Sequence, residues 1–443
     1  MNKKISGFPE WLPQQKRFEN SIIELIQEQF ESFGFTPIET RAVESLADLL
    51  AKGETSQEVY TLHRLQEELQ DTKSTPDRDK QLGLHFDLTV PFARYVLQNQ
   101  SKLTFPFKRY QIQKVWRGER PQAGRFREFY QADFDVVAHG ELPLHFDIEM
   151  PLLLSQLLAK LPIPKVVTHI NNRKVLQGFY MGLGIQELDV VLRIMDKLHK
   201  IGSEKVLELL TTELKVSDEI AEKCLRLANI KTSDAAFVEI VKAMNVQSEM
   251  LERGLNELSQ TINSLNEYYK DQNDCPFVVD LSIARGLNYY TGSIYESYFV
   301  DHPKLGAICS GGRYDNLLSG MGKTKLPGIG LSIGLTRIMS HLFSNDLATK
   351  FSETPSLVLI TLPNDEHMIK AQSVAAKLRS RNIACEVFHK PAKYGKQIAY
   401  ADKKQIPYVL FFGEDDKSQY EIRNIVSGEQ TAIDLASWKP ALS

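Results

Sequence analysis

Residues 107–136, FKRYQIQKVWRGERPQAGRFREFYQADFDV, limit the chain to folds that can hold a long antiparallel hairpin. Two runs of strand-forming residues flank a polar connection over 118–124 that contains glycine and proline, the pattern of a hairpin turn. Strand side chains alternate between faces, and the second run sorts sharply. Tyr130, Ala132, Phe134 and Val136 share one face and suit a core, while Arg127, Phe129, Gln131, Asp133 and Asp135 share the other. A strand with an apolar back and a polar front serves at a solvated edge or as the floor of a binding site. The first run favours the second use, because it delivers Arg117 to the mouth of the connection, which adds Arg120 and Arg125. Guanidinium forks hold phosphate oxygens in two-point geometry. Gln131 and Asp135 lie further along the same face, about 13 Å apart at strand rise. A ligand with a phosphate at one end and a small polar group at the other fits such a row.

A chain of 443 residues can form two to four domains with substantial cores. Its 25% charged and 42% hydrophobic residues are the balance of a soluble globular protein. The net charge of −3 means that a nucleic-acid partner must be met by local basic patches and not by the overall field. Cys224, Cys275, Cys309 and Cys385 form no C-x-x-C pair, which argues against zinc and a disulfide framework and fits a reducing compartment. The opening MNKKISGFPEWLPQQKRFE has no apolar signal core, and no run is long enough to span a bilayer. The expected location is therefore the cytosol, with no membrane partner.

Taken in order, residues 17–33 carry Ile22, Ile23, Leu25, Ile26 and Phe30 at helical spacing. Gly34 stops that helix and a strand opens at residue 35. The polar stretch 66–80 reads as a surface excursion. In LHFDLTVPFARY, residues 84–95, Asp87 and Thr89 share strand parity, so a carboxylate and a hydroxyl would point the same way. A helix is expected over 144–158 and a strand over 165–170. From 172 to 274 the composition shifts to helix formers with three- and four-residue apolar spacing, the mark of a helical insertion. GIGLSIGLTRIM, residues 328–339, reads as strand, glycine break and helix. A polar linker over 342–355 leads to strands at 356–362, 383–388 and 406–412 alternating with helices at 365–380 and 395–404. That βαβαβ order predicts a small parallel α/β domain.

WRGERPQAGRFREFYQ, residues 116–131, resembles motif 2 of the class II aminoacyl-tRNA synthetases, and in particular the histidyl-tRNA synthetase family. The helix and strand around Gly34 resemble motif 1, the family's dimer-forming unit, with Arg41 where the family usually has proline. Residues 84–95 resemble the segment that holds the substrate's α-amino group, with His85 in place of the usual arginine. SIARGLNYYTG at 282–292 and LGAICSGGRYD at 305–315 resemble the two histidine signatures, with Asn288 at a position more often acidic. Residues 328–339 resemble motif 3, and QIAYADKKQIPY at 397–408 with GEQ at 428–430 resembles the anticodon-binding domain.

The resemblance implies an α+β fold: a class II antiparallel sheet flanked by helices, with a helical insertion and a C-terminal α/β domain. Residues 1–171 and 275–341 would form the catalytic domain, 172–274 the insertion, 342–355 the linker and 356–443 the anticodon-binding domain. It implies activation of histidine by ATP, with magnesium on the nucleotide, no zinc and no metal ligands among the side chains. Transfer to tRNA(His) by a homodimer would follow. Arg117 and Arg285 would be catalytic, holding the substrate carboxylate and the α-phosphate together. Asp87, Leu88, Thr89 and Gln131 would receive the amino group; Asp135 and Tyr290 would read the imidazole, walled by Tyr289 and Tyr314. Arg117, Glu119, Arg125, Phe129 and Arg337 would bind ATP, and Gln122 with Arg125 the tRNA acceptor end. The insertion would either clamp the acceptor arm or act as a lid with no RNA contact. A second reading is a non-catalytic paralogue that binds histidine or tRNA as a regulator. Such paralogues typically lack the motif arginines or the C-terminal domain, and this chain keeps Arg117, Arg285, Arg337 and that domain.

Overall fold

The structure is a computed structural model, described over residues 4–50, 58–63, 81–122, 124–272, 274–284, 290–315, 325–348, 351–412 and 420–441. The chain divides into two compact units, one of Met1–Pro9 with Ile22–Ala348 and one of Glu10–Ser21 with Thr349–Ser443. The expected excursion at 66–80 lies outside the described residues.

The first unit is organised by a nine-stranded sheet. Its strands are β1 (Thr36–Pro37), β5 (Phe107–Trp116), β6 (Glu128–Val137), β7 (Val166–Asn172), β8 (Lys231–Thr232), β9 (Phe277–Asp280), β10 (Tyr290–Phe299), β11 (Cys309–Tyr314) and β12 (Gly328–Gly334). They lie in the order β1-β5-β6-β12-β11-β10-β7-β9-β8. The long pairings are antiparallel; only β1 with β5 and β7 with β9 run parallel. The hairpin β5–β6 is therefore real, with Arg109 opposite Asp135, Gln111 opposite Asp133 and Gln113 opposite Gln131. Strands β2 (Val43–Ser45), β3 (Thr61–Leu62) and β4 (Leu82–Leu84) form a separate small sheet.

The apolar face of the hairpin is covered as its alternation requires. Ala132, Phe134 and Val136 are fully buried. Phe30, on the helix Pro13–Ser32, stacks on Phe134 at 4.8 Å and on Tyr110 at 5.3 Å between ring centroids. The Tyr110 hydroxyl donates to Glu31 at 2.7 Å, so the phenol is satisfied where it is buried. The strand expected after Gly34 is only the two residues of β1.

One reading of local structure is corrected and another is extended. Residues 84–95 are not one strand: β4 ends at Leu84 and a helix, Thr89–Asn99, begins five residues later. Asp87 and Thr89 sit on a strand-to-helix bend, so parity is not what aligns them. The reason is local: Asp87 Oδ1 accepts the Val90 amide at 3.1 Å, satisfying one of the orphan donors of the helix start. The segment 172–274 is rich in helix but does not stand apart from the sheet. Strand β8 within it pairs with β9 and closes the sheet's edge. Its long helix Glu249–Tyr269 crosses the helix Arg173–Gly182 so closely that a Cβ on Gly254 would lie 2.6 Å from the Val175 amide nitrogen.

The second unit holds strands β13 (Val358–Ile360), β14 (Cys385–Val387), β15 (Tyr408–Phe412), β16 (Tyr420–Asn424) and β17 (Gln430–Ile433), ordered β14-β13-β15-β16-β17. The first three pair parallel and are joined by helices Met368–Arg379 and Tyr394–Lys403, as expected. The last two add in antiparallel fashion, making the sheet mixed. Gln397, fully buried, ties helix to sheet by accepting the Leu362 amide at 2.8 Å and donating to the Leu362 and Ala392 carbonyls. The expected linker at 342–355 begins inside a helix, Leu335–Ser344, where Leu342 is fully buried.

One ion pair locks the first unit. Arg313 of β11 meets the Asp147 carboxylate and also donates to the carbonyls of Leu142 and Pro143, with both side chains nearly water-free. Removing one member strands the other charge. Asp147→Ala is therefore expected to cost about 3–5 kcal/mol in urea unfolding. A loss below about 1 kcal/mol would count against the pair's structural role.

Candidate functional site

A cavity of about 240 Å³ opens over the polar face of β6. Phe129, Gln131, Asp133 and Asp135 line it in sequence along the strand, as alternation requires. The two ends differ in charge.

The inner end is carboxylate-rich. Asp135 is 4% exposed and both its oxygens are engaged: Oδ2 pairs with Arg109 at 2.6 Å and Oδ1 accepts the Tyr314 hydroxyl at 2.9 Å. Arg109 is itself fully buried, with its guanidinium 4.0 Å from the centre of the Phe92 ring. Opposite Asp135 on β12 stands Gly330, and a Cβ there would lie 1.9 Å from Asp135 Oδ1. Only glycine leaves room for this carboxylate. Burial, and then the Asp135 charge, hold the Tyr314 phenol well above its ordinary range, so it stays a donor. Tyr290, paired in register with Tyr314, lines the same end.

Next along β6, Gln131 donates to the Ser332 hydroxyl at 2.7 Å and leaves its Oε1 without a hydrogen-bond partner. Asp133, registered opposite Ser332, has an Oδ1 that likewise lacks one. Burial pushes the Asp133 carboxyl up to about 7; Arg109 opposes this, and the charges of Asp135 and Asp87 add to it. Asp87 and Thr89 complete this wall.

The outer end is cationic. Arg117, just past β5, donates from Nε to the Phe86 carbonyl at 2.9 Å and lies 5.0 Å from the Phe129 ring centre. Arg337, in the first turn of the helix Leu335–Ser344, donates to the carbonyls of Gly124 at 2.9 Å and Ala307 at 2.5 Å. Burial and then the Arg125 charge lower its affinity for its proton, Glu119 opposes, and Arg117 adds to the lowering. All three guanidiniums line the same cavity. Arg125 pairs with Glu119 at 3.1 Å, and both line the cavity.

Of the side chains expected at a site, Asp87, Thr89, Arg117, Glu119, Arg125, Phe129, Gln131, Asp135, Tyr290, Tyr314 and Arg337 all line this one cavity. Leu88 does not: it is fully buried beside it, at the start of the helix. Gln122 is exposed in the hairpin turn and is not part of the lining. Arg285, Tyr289 and Asn288 lie outside the described residues. His85 is fully buried, bonds the Lys114 carbonyl at 2.7 Å and stacks on Trp116; burial holds its imidazole below the ordinary range, hence neutral. It does not line the cavity, so its departure from arginine leaves the lining intact. Arg41 reaches Glu44 at 2.7 Å, which also binds Arg94. Sequence reasoning missed Arg109, Ser310 and Ser332 and gave Asp133 no role. Arg109 was recoverable, since counting back along the hairpin from Arg117 sets it opposite Asp135.

Among the described residues no group of three or more His, Cys, Asp and Glu side chains is placed to hold a metal ion. None of their helices is long and apolar enough to cross a membrane.

Residues 7–338 match the family model described as Histidyl-tRNA synthetase, and residues 356–443 the Anticodon binding domain. The chain is 51% identical over 434 residues to the histidine–tRNA ligase of Thermobifida fusca, covering 98% of this chain and 97% of that one. It is 48% identical to the histidine–tRNA ligase of Micrococcus luteus, over 98% and 96% of the two chains. The solved histidyl-tRNA synthetase from Nostoc sp. PCC 7120 is 36% identical and superposes with a TM-score of 0.86, over 98% and 97%.

The Asp133 carboxyl carries a measurable consequence. Its folded value of about 7 lies above the ordinary carboxyl range, so below about pH 4 both folded and unfolded states hold the proton. As pH rises toward 7 the unfolded state releases it first, and the ligand-free protein loses stability across that window. Asp133→Asn removes the effect. Urea unfolding at pH 4.5 and 7.5 should show a smaller loss in the variant than in the parent; equal losses would contradict the burial.

Proposed function

The chain belongs to the histidyl-tRNA synthetase family, and we infer from that premise that the cavity over β6 joins histidine to ATP and then charges tRNA(His). The protein is a histidine–tRNA ligase. The observation that supports the site is the polarity of a single cavity, with guanidiniums at one end and oriented carboxylates at the other.

In the first half-reaction the histidine carboxylate attacks the α-phosphorus of ATP and pyrophosphate leaves. The nucleophile is already ionised, so no base is needed. The obstacle is anion meeting anion, and it is met by positioning and cation density. Arg117, steadied by the Phe86 carbonyl and the Phe129 ring, is aimed where carboxylate and α-phosphate meet. The family resemblance gives Arg285 the same task. Arg337 and Arg125 take the distal phosphates, and Phe129 offers a ring face to the adenine. Magnesium brought with the triphosphate would neutralise the pyrophosphate oxygens; Glu119 is the acidic side chain lining that end. Zinc has no role in this scheme. In the second half-reaction the 3′-terminal hydroxyl of the tRNA attacks the adenylate carbonyl and AMP leaves.

Selection follows from paired hydrogen bonds. Asp135, held in place by Arg109 and Tyr314, accepts from one imidazole nitrogen, and the Tyr290 hydroxyl complements the other. Tyr289 would wall the ring. A site built this way rejects an analogue that leaves its groups unpaired by roughly 10⁴-fold, without editing. The exposed turn with Gln122 and Arg125 faces the acceptor end, the helical segment 172–274 is available to the acceptor arm, and residues 356–443 read the anticodon. The short, exposed edge strand β1 and the helix before it are where two copies would join as a homodimer in the cytosol.

Pyrophosphate exchange tests this with each amino acid in turn: histidine alone should support it. Arg117→Ala and Arg285→Ala should each slow exchange at least about a hundredfold while circular dichroism stays unchanged. Near-normal exchange in either folded variant would remove that residue from the mechanism.

A further inference from the structure

Within that reading of the cavity, the acceptors at its inner end outnumber the tasks so far given to them. Asp135 is committed to orienting partners on both oxygens. Asp87 spends one oxygen on the Val90 amide and has a second that can face the cavity. Gln131 gives its amide nitrogen to Ser332, and its Oε1 has no partner. Asp133, 4% exposed, lines the cavity with an Oδ1 that also has none. Buried acceptors without donors are costly, and more so for charged groups, so a site that keeps two of them is built for a ligand that supplies N–H. An ammonium has three donors. Asp87, Gln131 and Asp133 offer three acceptors.

We propose that Asp133 binds the α-ammonium of the substrate directly, as the second carboxylate of that subsite beside Asp87. Strand geometry suits the role. Asp133 stands two residues from Gln131 and two from Asp135 on one face, so it lies between the amide and the imidazole reader. In histidine the α-nitrogen and the ring are separated by two carbons, and the groups that meet them would be neighbours in such a row. Charge suits it too. The charges of Asp135 and Asp87 act unfavourably on Asp133, and Arg109, whose charge opposes this, is ion-paired to Asp135. A bound cation relieves the other two. Ser332 fixes the geometry, accepting from Gln131 and hydrogen-bonding the Asp133 carboxylate. The cavity therefore selects for a primary amine as well as for a ring.

Calorimetric titration of the full chain separates this from a role in shape alone. Three probes are used: histidine; histidinol, which keeps ammonium and ring; and 3-(imidazol-4-yl)propionate, which lacks only the ammonium. Asp133→Asn should weaken histidine and histidinol by about 10- to 100-fold, the range of a hydrogen bond to a charged group. The propionate should change by no more than about twofold. In exchange assays the KM for histidine should rise and the KM for ATP hold. Asp133→Ala serves as the second variant if the amide fails to fold. Equal weakening of all three probes would overturn the proposal, because Asp133 would then serve the ring or the cavity wall. No weakening of any would overturn it too. If the parent chain binds neither histidine nor histidinol, the reading of the cavity itself fails, a result distinct from either.

Discussion

A carboxylate held almost out of water is the constraint on which the site depends. Asp135 can stay ionised at that depth because Arg109 pairs with one oxygen and the Tyr314 hydroxyl with the other. Three different strands meet to achieve this: β5 supplies the cation, β11 the phenol and β12 the space. The space is Gly330, where any side chain would occupy the carboxylate's own volume. Arg109 in turn is tolerated because the Phe92 ring covers it and Asp135 balances its charge. Each member would be expensive alone, and together they fix one orientation of the carboxylate.

The same strand that carries Asp135 also spaces the two ends of the cavity. Successive inward positions of β6 step from Asp135 through Asp133 and Gln131 to Phe129, beside Arg117. A strand is stiff and its rise is constant, so the separation between the carboxylate-rich and cationic ends is set by the backbone. Arg337 enters from elsewhere in the chain, anchored by the carbonyls of Gly124 and Ala307. Carbonyl anchors fix the direction of a guanidinium without neutralising its charge.

The helical segment after β7 bears on the site through the chain that leads to the first histidine signature. Asn171 donates to the Ile283 carbonyl at 2.9 Å, and Arg173, buried at the start of the next helix, donates to the Ala284 carbonyl. His199, from a short helix further on, reaches the Ser282 hydroxyl at 2.9 Å, and Ser282 is tied to Asp280 of β9. The insertion is thereby part of the scaffold that carries residues 282–284, in keeping with its strand β8 closing the sheet.

Much of this was legible in the linear chain. Alternation over 128–137 identified the core face and the cavity face of β6, and the glycine break at 334 identified the strand-to-helix step that carries Arg337. The motif spacings pointed to the family, and eleven of the expected side chains line one cavity among the described residues. Other features were not legible. Parity failed at Asp87 and Thr89 because a bend there obeys helix capping and not strand alternation. Leu88, flanked by two cavity residues, turned into the core for the same reason. The antiparallel additions β16 and β17 and the edge pairing of β8 depend on partners far along the chain. Alternation, capping and motif spacing are local and are written in neighbouring residues. Which buried charge meets which counter-charge, and which glycine must stay bare to admit it, is decided only when separate strands are brought side by side.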